Sequence, residues 1–167
     1  MKIKRVHGFS LIEIVIAISL LIIVISLVNI NTDYLNKTLI RSQINHLYNT
    51  CYFLQQLARA SHTIQELSID DKNHCYFSKE QHYKLPTQVR FGILPHAKGP
   101  PSAAHTSLSN AITFSDKKIV FYPDGIISSG TIYIIDSSAK YLYALSSGIA
   151  PVSFLRKYYY DGKWHLL

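Results

Sequence analysis

The feature that most constrains this chain is an apolar run from Phe9 to Ile30, broken only by Ser10, Glu13, Ser19, Ser26 and Asn29. At 1.5 Å per residue in a helix, it reaches roughly 30 Å, the thickness of a bilayer core. Lys2, Lys4 and Arg5 precede it, and no compact basic cluster follows at once. The positive-inside rule therefore puts the start in the cytoplasm and the bulk of the chain outside. The run is too long for the core of a secretory signal peptide and ends in Asn29-Ile30-Asn31-Thr32-Asp33 without a small-x-small cleavage site. Length and flanks suit a plain anchor, but Glu13 does not. A carboxylate inside an apolar helix costs about 2.5–3.5 kcal/mol even on lenient insertion scales, so it implies a function and a partner.

The junction Gly8-Phe9-Ser10-Leu11-Ile12-Glu13 resembles the prepilin signal of type IV pilins and of the pseudopilins of type II secretion. The resemblance implies cleavage between Gly8 and Phe9 by a membrane-embedded prepilin peptidase, then N-methylation of Phe9. It makes Glu13 the fifth mature residue and an assembly residue. Cleavage creates an α-amino group with a reference pKa near 8, hence mostly cationic. In a low-dielectric setting, the Glu13 carboxylate and the amine of a neighbouring subunit attract far more strongly than in water. Such a pair offsets the desolvation of Glu13 and sets the axial register, as buried polar groups do in coiled coils. The local alternatives are a Glu13 that reaches out to solvent or pairs with its own terminus.

The whole sequence carries 17 Lys+Arg against 10 Asp+Glu, a net charge of +7. Removal of Lys2, Lys4 and Arg5 with the leader lowers this to +4. Much of the basicity is then a targeting signal, which weakens a nucleic-acid reading of the whole chain.

Between Tyr34 and Glu66 there is no Gly and no Pro. Ile40, Ile44, Leu47, Cys51, Leu54 and Ala58 recur every three or four residues, one face of an amphipathic helix. Asn36, Lys37, Gln43, His46, Asn49 and Gln56 are expected opposite. One helix is predicted from Phe9 to about Leu67, its apolar stripe covered by a sheet or, alternatively, by another helix. The remainder supplies the sheet. Asp70-Asp71-Lys72-Asn73 reads as a turn. Short strands rich in Ile, Val, Tyr and Phe are predicted at 74–77, 88–92, 111–114, 119–122, 131–136, 141–145, 152–159 and 163–166. Pro123-Asp124-Gly125 and Asp161-Gly162 supply turns, and 95–110 reads as a flexible loop. The expected fold class is α+β: a long N-terminal helix packed on antiparallel β-sheet, pilin-like. The expected division is a leader at 1–8, a transmembrane and filament-core helix at 9–30, its amphipathic continuation at 31–68, and a β-rich periplasmic domain at 69–167.

A second resemblance lies in 112–148. Ile119-Val120-Phe121-Tyr122-Pro123-Asp124-Gly125, then Gly130-Thr131-Ile132-Tyr133-Ile134, then Tyr141 to Gly148 follow an order similar to the H-type minor pseudopilins and FimT-like minor pilins.

No catalytic set stands out: there is no Gly-x-Ser-x-Gly, phosphate loop or His-Glu-x-x-His, and the His and Cys spacings fit no standard metal site. The sequence thus predicts a non-enzymatic subunit without cofactor or metal, a substrate of the peptidase and a partner of other pilins or pseudopilins at the inner membrane. Cys51 and Cys75 suit either a disulfide across a loop of about 25 residues or two buried thiols. Arg156, Lys157 and Lys163 interleave with Tyr158, Tyr159, Tyr160 and Trp164. That pattern allows phosphate contacts and base stacking, but an ordinary terminal hairpin is the favoured reading. The expected role is a minor pseudopilin of type II secretion. The alternatives are a FimT-like minor type IV pilin in pilus assembly or DNA uptake, and a membrane-anchored periplasmic enzyme.

Overall fold

The structure, a computed structural model, describes residues 10–79, 81–99, 106–148 and 153–167, without the side chains of 27–33. It is α+β. Helix α1 spans Leu11–Ser61 and belongs to two units that divide between Leu35 and Asn36.

The helical part of the first unit is apolar on every side. Leu11, Ile12, Ile14, Val15, Ile16, Ile18, Leu20 to Ile25 are all at least half exposed. No described residue packs on them, so this stretch brings no intramolecular core of its own.

The second unit begins with the amphipathic part of α1 and folds into two antiparallel sheets. After α1 come β1 (Gln65–Asp70), β2 (Cys75–Phe77), β3 (His82–Lys84), β4 (Val89–Phe91), a 3-10 turn (Ser115–Lys117), β5 (Lys118–Phe121), β6 (Gly130–Asp136), β7 (Leu142–Gly148), β8 (Phe154–Tyr160) and β9 (Trp164–Leu166). The first sheet has the order β3-β2-β1-β5 and the second β4-β6-β7-β8-β9. The apolar stripe read from the sequence is the buried face of α1: Ile40, Ile44, Leu47, Cys51, Leu54 and Ala58 join a single core with residues of both sheets, among them Leu67, Tyr76, Phe121, Ile134 and Leu145.

Strand periodicity explains the layers. Ile132 and Ile134 of β6 face that core, whereas Tyr133 and Ile135 face a second cluster with Ala97, Leu142, Ala144 and Tyr158. The second sheet is therefore apolar on both faces, which is why the middle of β6 (Ile132 to Ile135) and the start of β7 (Leu142 to Leu145) are continuous hydrophobic runs.

Several boundaries differ from the sequence expectation. The helix stops at Ser61 rather than near Leu67, because His62 turns left-handed at φ 52. The following Leu67-Ser68-Ile69 then alternates with period two as β1, burying Leu67 and Ile69. β1 and β3 were not expected as strands, and 111–114 contributes only an isolated bridge, Ile112 to Ile132. Gln43, expected at the surface, is buried and accepts a hydrogen bond from the Tyr83 hydroxyl at 2.8 Å. The middle of the 95–110 loop, and residues 149–152, lie outside the described residues. The flanks of the loop are ordered: the Gly99 N–H donates to the Thr106 carbonyl at 2.8 Å, and Trp164 Nε1 donates to the Lys98 carbonyl at 2.8 Å. Ala97 and Leu108 thereby cover the outer face of the second sheet.

Candidate functional site

Gly8 and Phe9, where the sequence places cleavage and methylation, lie outside the described residues. The described part starts at Ser10, which stands at the N-cap position of α1. The Glu13 carboxylate accepts the Ser10 backbone N–H at 2.9 Å. This is the glutamate arm of a capping box, which satisfies one of the donors that a helix start leaves open. The Ser-x-x-Glu spacing of Ser10 and Glu13 is its signal in the sequence. Glu13 is exposed, and among the described residues no cation approaches it. Along the same stretch, Ser19 and Ser26 return their hydroxyls to the carbonyls of Val15 and Ile22, each at 2.8 Å. These two hydroxyls are thus internally satisfied, and Glu13 is the one ionisable side chain of the run among the described residues.

No helix among the described residues is long and apolar enough to cross a membrane. Phe9 and the side chains of 27–33, which the sequence counts in or beside the apolar run, lie outside that description.

Cys51 and Cys75 are both buried free thiols. Cys51 belongs to the core between α1 and the sheets, on the side of β2 that carries Tyr76. Strand alternation sends Cys75 to the opposite side, beside Asp70, Phe77, His82 and Lys84. Burial pushes the Cys51 thiol far above its ordinary range, so its neutral form is the one the fold holds.

The C-terminal cations do not converge. Lys157 turns inward: its ammonium donates to Asn45 Oδ1 at 2.8 Å and lies 4.7 Å from the centre of the Tyr48 ring. Arg156 follows the other side of β8 and stacks 4.2 Å from the Phe154 ring centre. Lys163 sits in the exposed turn between β8 and β9, where Gly162 adopts φ 97. The aromatics are committed to packing: Trp164 lies 5.9 Å from Tyr133 and 5.1 Å from Tyr160.

The densest polar cluster lies between α1 and β2–β3. His46 Nδ1 shares a hydrogen bond with the Tyr76 hydroxyl at 2.6 Å, and its ring stacks on Tyr83 at 4.1 Å. Burial raises the Tyr76 phenol well above its usual value. A histidine and two neutral phenols with Gln43 and Thr50 tie helix to sheet. No group of three or more His, Cys, Asp or Glu side chains suited to a metal occurs among the described residues.

The family model of the prokaryotic N-terminal methylation motif matches residues 3–29. No curated protein and no solved structure matches the chain. The matched span holds Lys4, Arg5, the Gly8-Phe9 pair and Glu13. With a helix packed on antiparallel sheets behind it, the motif supports the type IV pilin-like class, whose members carry a prepilin-type N-terminus. The motif implies processing by a prepilin peptidase, a membrane-anchored N-terminus and assembly with other pilins, a structural rather than an enzymatic role.

Proposed function

We propose that this chain is a minor pseudopilin subunit of a type II secretion pseudopilus. It is made as a prepilin, held in the inner membrane by 9–30 with its N-terminus cytoplasmic and its folded domain periplasmic. It is cut after Gly8, methylated on Phe9, and assembled through α1. The observation that carries this reading is the apolar stretch of α1: a helix hydrophobic all round, whose large side chains are exposed among the described residues, must be buried elsewhere. A bilayer before assembly and the neighbouring helices of a filament after it both meet that need. Burying one such Leu or Ile side chain contributes about 1.5–3 kcal/mol, so a run of them outweighs the cost of one carboxylate. Glu13 gains its charge partner only from a free terminus, its own or a neighbour's, because this stretch contains no Lys or Arg. Its bond to Ser10 N–H leaves carboxylate acceptor capacity for that partner.

Mass spectrometry of the N-terminal peptide from native membranes tests the processing: a terminus at methylated Phe9 is expected, and an intact Met1 terminus would falsify it. Incorporation of Glu13→Ala into filaments, alongside its sister subunits, tests assembly. Loss of incorporation with normal folding is expected, whereas an anchored enzyme would tolerate the change. Coupling of secretion, rather than pilus extension or DNA uptake, to deletion of the gene separates the pseudopilus from a FimT-like pilus role.

A further inference from the structure

A cavity of about 400 Å³ opens beside the second sheet, lined by Lys37 and Arg41 of α1 and by Tyr141, Tyr143, Tyr159 and Tyr160. Lys37 and Arg41 stand one helical turn apart on the same face, so their charges repel each other. Both are exposed, and among the described residues neither has an ion-pair partner. Asp161 and Leu167 complete the lining, and the Asp161 carboxylate is bound by His165 Nε2 at 2.8 Å. Tyr141 in turn carries the Lys140 ammonium 5.6 Å from its ring centre. Tyr143 and Tyr159 are a cross-strand pair with ring centres 6.3 Å apart, and the Arg41 charge is felt at the Tyr143 hydroxyl.

We propose that this cavity binds the phosphodiester headgroup of an anionic phospholipid, with Lys37 and Arg41 holding the phosphate and the tyrosines contacting the glycerol region. The inference rests on the membrane-anchored reading above. A phosphate accepts from a guanidinium in bidentate fashion and from an ammonium as a point charge, which relieves the repulsion between the two cations. Phenols add O–H donors beside apolar ring faces, the combination that settles tyrosines at the membrane–water boundary. The position along the chain selects the lipid over a soluble phosphodiester. Lys37 follows Ile30, the end of the apolar run, by seven residues within the continuous helix α1. Arg41 follows the same run by eleven residues, so both cations come early in the chain after its apolar run, where a basic residue meets anionic lipid headgroups.

Native mass spectrometry of the full chain from detergent micelles, offered phosphatidylglycerol and phosphatidylcholine together, tests this. The wild type is expected to retain phosphatidylglycerol at least ten-fold over phosphatidylcholine. Lys37→Gln with Arg41→Gln is expected to erase the preference, and Lys37→Arg with Arg41→Lys to keep it. All four changes are at exposed positions, so an unchanged melting curve is expected as the folding control. Equal retention of the two lipids, or a preference that survives the Gln pair, overturns the proposal. So does retention of soluble glycerophosphoglycerol or of a short single-stranded oligonucleotide as strongly as the lipid. Fractionation of cells separates the two levels. A wild-type chain absent from membranes defeats the anchored reading and this one with it. A membrane-bound chain without lipid preference defeats this one alone.

Discussion

Gln55 Nε2 donates to the carbonyl oxygen of Gly125 across 2.8 Å in a buried contact that joins α1 to the turn after β5. Arg59, one turn further along α1, lies over the same glycine, so close that an added Cβ would collide with its guanidinium. Pro123-Asp124-Gly125 is therefore more than a chain reversal. It is the latch between the end of α1 and the first sheet, and Gly125 holds it at φ 88.

Gly125→Ala is expected to destabilise the fold by about 1–2 kcal/mol, mostly from the left-handed backbone, since Arg59 is flexible and can move aside. Thermal melts of Gly125→Ala, and of Gln55→Ala, which leaves the buried carbonyl without its donor, measure this. Equal melting temperatures in wild type and both variants contradict the latch.

Glu13→Gln separates the two things Glu13 does. Glutamine at this helix position also accepts the Ser10 N–H, so a purely local capping role survives the change. Charge pairing with a terminal amine does not. Filament incorporation of Glu13→Gln is expected to fall as far as that of Glu13→Ala.

Lys157→Met is expected to cost about 1–2 kcal/mol, because it removes the bond to Asn45 and the contact with Tyr48. Arg156→Ala and Lys163→Ala, both at exposed positions, are expected to stay within about 0.5 kcal/mol of wild type. Denaturant titration of the three variants gives the comparison, and a Lys157 variant as stable as the other two removes the structural role assigned here.

Stability is expected to fall in alkali in two stages. Burial raises the Cys51 thiol, so the folded chain keeps a proton that the unfolded chain releases above about pH 8.5. Unfolding then releases a proton, and stability drops as pH rises past that point. Tyr133, pushed up to about 12 by burial, adds a second loss between about pH 10 and that value. Cys51→Ala is expected to delay the onset by more than one pH unit in a circular-dichroism titration. An unchanged onset contradicts the burial of this thiol.

Alkylation tests the two cysteines directly. Cys51 and Cys75 are expected to resist a thiol reagent in the native protein and both to react after denaturation without reductant. A chain that gains no label when denatured contains the disulfide instead.

The sequence by itself determined the elements whose signal is local and repeated. The spacing of Ile40, Ile44, Leu47, Cys51, Leu54 and Ala58 marks the buried side of α1, and all six are in the core. The apolar run before them, with Glu13 and the Gly8-Phe9 pair, supports the pilin-like class, because length, charge and motif there need no tertiary partner. The tertiary structure alone decided where α1 ends, since Leu67 and Ile69 fit a helix or a strand until β5 pairs with Gln65–Ser68. It alone sent Lys157 to the helix and Arg156 away from it, separated Cys75 from Cys51 by the alternation of β2, and gathered Lys37 and Arg41 with tyrosines over a hundred residues distant. Those facts depend on which strand lies beside which, and long-range pairing leaves little trace in local periodicity.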